Sequence, residues 1–290
     1  MSYISQRPSV AGLNPFSNLS TGVPNQAYSA NPANGAQPSS ATGFYDPSFV
    51  TMVGQKFDTA DGRELVLVQN GAVAIGAGVL VQSEAEVTAH QKLAMTVPTA
   101  YPATAGLYQI LVTNGSTVLN VNKFALGQLI VASGTGAGQI LGISSHQPAA
   151  NGATFVVTLE DPIQTTLDAT SKISLLQNPY SNVIISPATT ATGGPVGVSL
   201  YNIAASTAPT YNATTGALTA NGVAQYGLIT CHGFAACLID NTVTNVGYPL
   251  GVSKTTAGTM GLATLTTVPQ IGVSAQTLTS ANTGLVFLYL

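Results

Sequence analysis

Tyr108-Gln-Ile-Leu-Val-Thr-Asn-Gly115 decides the class of fold. Its centre, Gln109 to Thr113, is an aliphatic and β-branched run that suits a pleated, packed surface. Asn114-Gly115 behind it offers the positive φ angles of a tight hairpin turn. The same grammar recurs in both directions. Phe155-Val-Val-Thr-Leu159 and Leu285-Val-Phe-Leu-Tyr-Leu290 are further β-rich runs. Leu119-Asn-Val-Asn122 alternates with the period of a half-buried strand. Asp61-Gly62, Asn70-Gly71, Asn151-Gly152 and Asn221-Gly222 repeat the turn signal. Only residues 84–94 and 165–172 tolerate a helix, and both are short. The fold class expected is all-β.

The deciding stretch has an echo. Tyr108–Gly115 aligns with Tyr226-Gly-Leu-Ile-Thr-Cys-His-Gly233 at an offset of 118 residues. Gly127-Gln-Leu-Ile-Val-Ala-Ser133 aligns with Gly247-Tyr-Pro-Leu-Gly-Val-Ser253 at an offset of 120. Two related β modules in one chain would produce this pattern, whereas a solenoid needs shorter and more numerous repeats. The expected division is a first small barrel or sandwich-like module over 49–177 and a second over 178–290, meeting near Asn178-Pro-Tyr180.

Residues 1–48 differ. They are rich in Ser, Asn, Ala and Gly, carry six prolines (Pro8, Pro15, Pro24, Pro32, Pro38 and Pro47), and up to Tyr45 hold one charge, Arg7. No helical or strand period survives that proline spacing. Composition alone suits a flexible tail; the expectation preferred to it is an extended arm held against another subunit, with Phe16, Leu19, Tyr28, Phe44 and Tyr45 as its anchors.

Composition excludes several functions. Of 290 residues, 7 are Lys or Arg and 10 are Asp or Glu, so 6% carry charge, against about 25% in an ordinary domain. The basic residues Arg7, Lys56, Arg63, Lys92, Lys123, Lys172 and Lys254 are scattered singly. Nucleic acid is not an expected partner, because displacing its counterions needs clustered cations. The longest apolar run, about 71–81, falls far short of the roughly 18–20 residues of a membrane-spanning helix, so no membrane is expected either. The stretch before Pro8 has no apolar h-region, so a signal peptide is not expected from it.

Candidate chemistry is sparse. Cys231-His232 with Cys237 is the only grouping of soft ligands. A zinc site needs a fourth ligand and usually a tighter cysteine spacing. On a straight strand the two cysteines stand about 20 Å apart, too far for a disulfide, and Cys231 and His232 point to opposite faces. Two buried thiols and an imidazole on the other face are expected. Glu160-Asp161 ahead of Pro162, with Asp168 beyond, could do acid–base work but better fit the end of a strand and a turn. Asp58, Asp61 and Glu64 lack the spacing of a calcium loop, and a hairpin at Asp61-Gly62 accounts for them. Gly134-Thr-Gly-Ala-Gly138 has no Lys to meet a phosphate. No catalytic residue, cofactor or metal ion is expected.

Leu159-Glu-Asp-Pro-Ile163, Ser171-Lys-Ile-Ser-Leu175, Asn178-Pro-Tyr180, Gly194-Pro-Val-Gly-Val198 and Tyr226-Gly-Leu228 together carry a resemblance. Gly247 with Gly258, Ile271-Gly-Val273 and the closing apolar run to Leu290 extend it. Over roughly 155–290 the chain resembles the capsid decoration (cement) and head structural proteins of tailed bacteriophages. The resemblance implies an all-β protein, not an enzyme, bound to the outside of an icosahedral shell. It implies the major capsid protein and neighbouring copies, often as a homotrimer, as partners. It places the protein on the virion exterior after synthesis in the host cytoplasm. An arm that crosses onto neighbours would add avidity. The alternative is a tail, fibre or surface adhesin domain that binds glycans. The long helix of common phage shell folds is not readable here.

Overall fold

The structure is a computed structural model that describes residues 53–91, 94–188, 192–263 and 270–290. The arm and its five expected anchors, Phe16, Leu19, Tyr28, Phe44 and Tyr45, lie outside the described residues. Among those described, the protein is all-β: eighteen strands, one 3-10 turn at Thr88–His90, and no α-helix. No helix among the described residues is long and apolar enough to cross a membrane.

Six strands close a barrel: β4 (Met95–Thr96), β5 (Gln109–Thr113), β6 (Gln128–Ser133), β7 (Ile140–His146), β8 (Thr154–Leu159) and β9 (Lys172–Leu176), in the order β4-β5-β8-β7-β6-β9. Alternation builds it. Ile110 and Val112 of β5, Phe155, Val157 and Leu159 of β8, and Ile173 and Leu175 of β9 point inward to one core with Leu129, Leu141 and Phe124. The residues between them face out.

The remaining strands form a large curled sheet. From the first part of the chain come β1 (Lys56–Asp58), β2 (Glu64–Gln69) and β3 (Leu80–Gln82). The last part supplies β10 (Ile184–Ile185), β11 (Pro195–Ser199), β14 (Tyr226–Leu238), β15 (Pro249–Val252), β16 (Met260–Leu262), β17 (Gly272–Ser274) and β18 (Thr283–Tyr289). A hairpin, β12 (Thr210–Tyr211) with β13 (Leu218–Ala220), stands apart. Strand pairing runs across the division expected at residue 178. β1–β3 belong with the C-terminal strands, and the barrel over 95–176 is inserted between β3 and β10.

One pairing rule recurs three times. In the barrel the first strand pairs the fourth and the fourth pairs the third, which pairs the second: β5-β8-β7-β6. The large sheet contains β2-β14-β11-β3 and then β14-β18-β17-β15, with the same order and all antiparallel. Each is a Greek key. A fifth strand lies beside the second in every case: β9 on β6, β10 on β3 and β16 on β15. A reciprocal backbone bridge joins the loop after the first strand to the loop before the fourth: Leu119 with Ala149, Ile75 with Ile203, and Val243 with Leu278. β14 serves twice, pairing β2 through residues 226–232 and β18 through 232–238. The echo in the sequence thus has a structural counterpart in β6 and β15, both second strands. The first block is out of step. The bridges relate Leu119 to Val243, an offset of 124 residues where the alignment gave 118.

Three of the four Asn-Gly pairs among the described residues, Asn70-Gly71, Asn114-Gly115 and Asn221-Gly222, do not make hairpin turns, and none of their glycines takes a positive φ. Asn70 and Asn114 are buried, and their side-chain amides hold the crossing loops, whereas Asp61-Gly62 does turn the β1–β2 hairpin. Leu119–Asn122 is not a strand. Leu119 makes its single bridge, and residues 121–126 turn, with Asn122 and Leu126 at positive φ. The barrel is fastened to the sheet in two places. Lys123 Nζ meets Glu84 Oε1 at 2.9 Å while Asn182 Nδ2 meets Glu84 Oε2 at 3.2 Å. The tip of the β12–β13 hairpin reaches the barrel, where Val121 N–H donates to Gly216 O at 3.2 Å.

Candidate interaction surface

The sequence-level candidates for chemistry separate in space or are occupied by structural bonds. Cys231 and Cys237 are free, buried thiols on one continuous strand, as their spacing predicts. Burial pushes both thiols up, Cys237 to about 12, so neither is a thiolate nucleophile near neutral pH. Asp168 Oδ1 accepts from Thr170 Oγ1 at 2.6 Å and its Oδ2 from Thr135 Oγ1 at 2.7 Å. These hydroxyls, Thr170 first, hold its carboxyl below the usual range. Glu160 and Asp161 are exposed where β8 ends. Asp61 accepts from Arg63 Nε at 2.8 Å in the β1–β2 turn, and Glu64 pairs with Lys56 at 2.9 Å. Gly134–Gly138 is the β6–β7 connection. Among the described residues no group of three or more His, Cys, Asp and Glu side chains could hold a metal ion.

What these strands do bring together is aromatic. In the C-terminal half of β14, Cys231, Gly233, Ala235 and Cys237 are buried, so the residues between them face the other way. In β18, Gly284, Val286 and Leu288 are buried, while Leu285, Phe287 and Tyr289 turn outward. Register sets these outward residues side by side: His232 opposite Tyr289, Phe234 opposite Phe287, and Ala236 opposite Leu285. The rings are in contact. Phe287 meets Phe234 edge-on with centroids 5.1 Å apart, His232 edge-on at 5.5 Å, and Tyr289 at a tilt at 5.3 Å. Val273 of β17 sits beside Phe287 in register and widens the strip. Phe234 is 47% exposed, Leu285 39% and Tyr289 52%. An edge-to-face aromatic cluster is rigid, and one left in water is a ready anchor for a partner.

Gly233 lies within the strip's strand, between His232 and Phe234. Its φ is +89°, and a Cβ there would stand 3.1 Å from both Arg63 Cα and Gly62 O. A side chain here would be strained by the positive φ and would crowd the β1–β2 turn where it packs against β14. The strip itself contains no Asp, Glu, Lys or Arg. Sequence reasoning placed both β14 and β18 in strands but did not join their outward residues. The available signal was the aromatic at alternate positions of each run, Phe234 in one and Phe287 with Tyr289 in the other. No protein-family model, curated protein or solved structure matches the chain.

Proposed function

We propose that this chain is a structural virion protein that binds the outside of a tailed-phage capsid shell and stabilises it. In this reading residues 1–48 clamp neighbouring subunits, and the partners are the major capsid protein and further copies of the chain, arranged as a trimer. The observation that carries it is the aromatic strip of His232, Phe234, Phe287 and Tyr289, free of Asp, Glu, Lys and Arg, on a body of interlocked Greek keys. Asp61, Glu64 and Glu84 are spent on ion pairs and Asp168 on a turn, which suits packing better than turnover. The low charge of the whole chain points the same way. A free monomer with so little repulsion tends to self-associate, which matters little for a protein that lives packed among identical neighbours.

Co-sedimentation with shells assembled from the major capsid protein of the same virus tests the reading. The full chain pellets with the shells, and a chain lacking 1–48 stays in the supernatant with its β-sheet circular dichroism intact. Equal binding by the truncated chain removes the clamp, and no binding by the full chain removes the function.

The strip also favours a second reading, a tail, fibre or surface domain that binds glycans, because sugar rings stack on exposed aromatic faces. Binding to a glycan array that is lost in Phe234→Ala and Tyr289→Ala selects it.

A further inference from the structure

The aromatic strip has no occupant among the described residues, and the chain supplies a segment that matches it in chemistry. We infer that residues 1–52 dock a proline-bearing stretch on the strip formed by His232, Phe234, Phe287 and Tyr289. Three observations support this.

Place is the first. The described chain begins at Val53, which packs with Leu65, Leu67, Tyr226 and Leu228. Gly54 N–H donates to Leu67 O at 2.8 Å. From Leu67, β2 runs beside β14 to Glu64, which stands opposite His232, the first residue of the strip. The start of β1 and the strip are therefore on the order of 15 Å apart along and across these strands. Fifty-two residues reach up to about 170 Å when extended, so the segment can lie on the strip of its own chain or of a neighbouring copy.

Chemistry is the second. The segment contains six prolines, with Phe16, Tyr28, Phe44, Tyr45 and Phe49 among them, and a single charge before Asp46. Each proline fixes its own φ and lowers the entropy lost on docking, and the aromatic side chains between the prolines can pack against the exposed rings. Apart from Arg7 and Asp46 the segment has no charge to strand, and on the strip only His232, with Glu64 opposite it in register, can carry one. The third observation is rigidity. Phe287 is gripped by three neighbouring rings on two paired strands, so the receiving surface loses little freedom on binding.

This inference deepens the clamp in the proposed function by naming the surface that receives the segment. Its test needs no shell, so its failure and the failure of shell binding are separate results. Full-length chain is made with photoreactive benzoylphenylalanine in place of Phe234, as a mixture of nitrogen-14 and nitrogen-15 protein, and irradiated. Cross-linked peptides from residues 1–52 are expected. A mixed-isotope cross-link shows that another copy supplies the segment, and a single-isotope set shows that the same chain does. Cross-links only to residues 53–290, or none, overturn the inference. A second measurement uses the full-length double variant Phe234→Ser with Tyr289→Ser. Both side chains face outward, so its sheet circular dichroism is unchanged. Chymotrypsin removes its first 52 residues about ten-fold faster than in the parent, as expected when two anchors of a docked segment are lost. Equal rates overturn the inference.

Discussion

Asn70 and Asn114 hold equivalent corners of two different Greek keys. Each follows the first strand of its unit. Asn70 Nδ2 lies 2.9 Å from Val73 O, 3.5 Å from Ile203 O and 2.7 Å from Ala204 O. Asn114 Nδ2 lies 2.9 Å from Thr117 O, 3.4 Å from Ala149 O and 3.0 Å from Ala150 O. In both, the amide tethers the carbonyl three residues on and two carbonyls of the loop that leads to the fourth strand. Where two loops cross away from water, their carbonyls need donors, and a carboxamide supplies two from one residue. Replacing Asn114 by Ala strands those carbonyls. Unfolding in urea is expected to show a loss of about 2 kcal/mol for Asn114→Ala, and a similar loss for Asn70→Ala. Asn114→Asp has acceptors where donors are needed and is expected to lose more.

His146 makes the barrel sensitive to acid. Its Nδ1–H donates to Gln147 O at 2.9 Å, and its Nε2 accepts from Phe124 N–H at 3.0 Å. That arrangement requires the neutral ring. Burial lowers its pKa to about 4, with nearby His90, itself lowered by burial, pushing the same way. Above about pH 6.5 the ring is neutral in both folded and unfolded chains, so the contribution is constant. As pH falls from about 6.5 towards 4, the unfolded chain takes up a proton that the folded chain refuses, and stability drops. Below about pH 4 the loss levels off near 3 kcal/mol. A proton NMR titration of the His146 ring is expected to turn near pH 4, and a turn near 6.5 would disprove the buried neutral ring.

Cys231 and Cys237 are expected to be silent towards thiol reagents in the folded protein. Burial raises both pKa values and shields both sulfur atoms. Incubation with iodoacetamide at pH 8 leaves the native chain unlabelled, and the same treatment in urea adds two groups. Oxidation gives no internal disulfide, because β14 is continuous between the two residues.

Gly216 locks the β12–β13 hairpin to the barrel. Its φ is +72°, and a Cβ there would stand 2.0 Å from Leu119 O. Gly216→Ala therefore meets both backbone strain and a clash, with an expected cost of about 1–3 kcal/mol. Faster hydrogen exchange at the Val121 amide, which donates to Gly216 O, is the local readout. The rest of the barrel keeps its protection.

Local signals in the sequence were sufficient for strands whose side chains alternate between core and solvent. Gln109–Thr113, Thr154–Leu159 and Thr283–Tyr289 fall where their β-rich runs predict. Cys231 and Cys237 were readable as buried for the same reason, and as unbonded only if the strand ran straight through residues 232–234, which it does. Pairing partners were not readable, because β2 bonds to β14 across the whole inserted barrel and a backbone hydrogen bond leaves no mark on residue type. Asn-Gly misled at Asn70 and Asn114, since the dipeptide suits a tight turn and a carbonyl-binding amide equally well. Leu119 misled because one bridged residue followed by a turn has the same local alternation as a short strand. The aromatic strip escaped because it belongs to neither strand alone. Phe234 and Phe287 become neighbours only through the register of β14 on β18.

Electron cryo-microscopy of shells saturated with the full-length protein decides whether the chain sits on the outside of a phage head, as proposed. Density for the closed barrel and the curled sheet is expected on the outer surface of the shell, repeated with the shell's symmetry. Density confined to the tail or to the shell interior, or bare shells at saturating protein, would contradict the proposal.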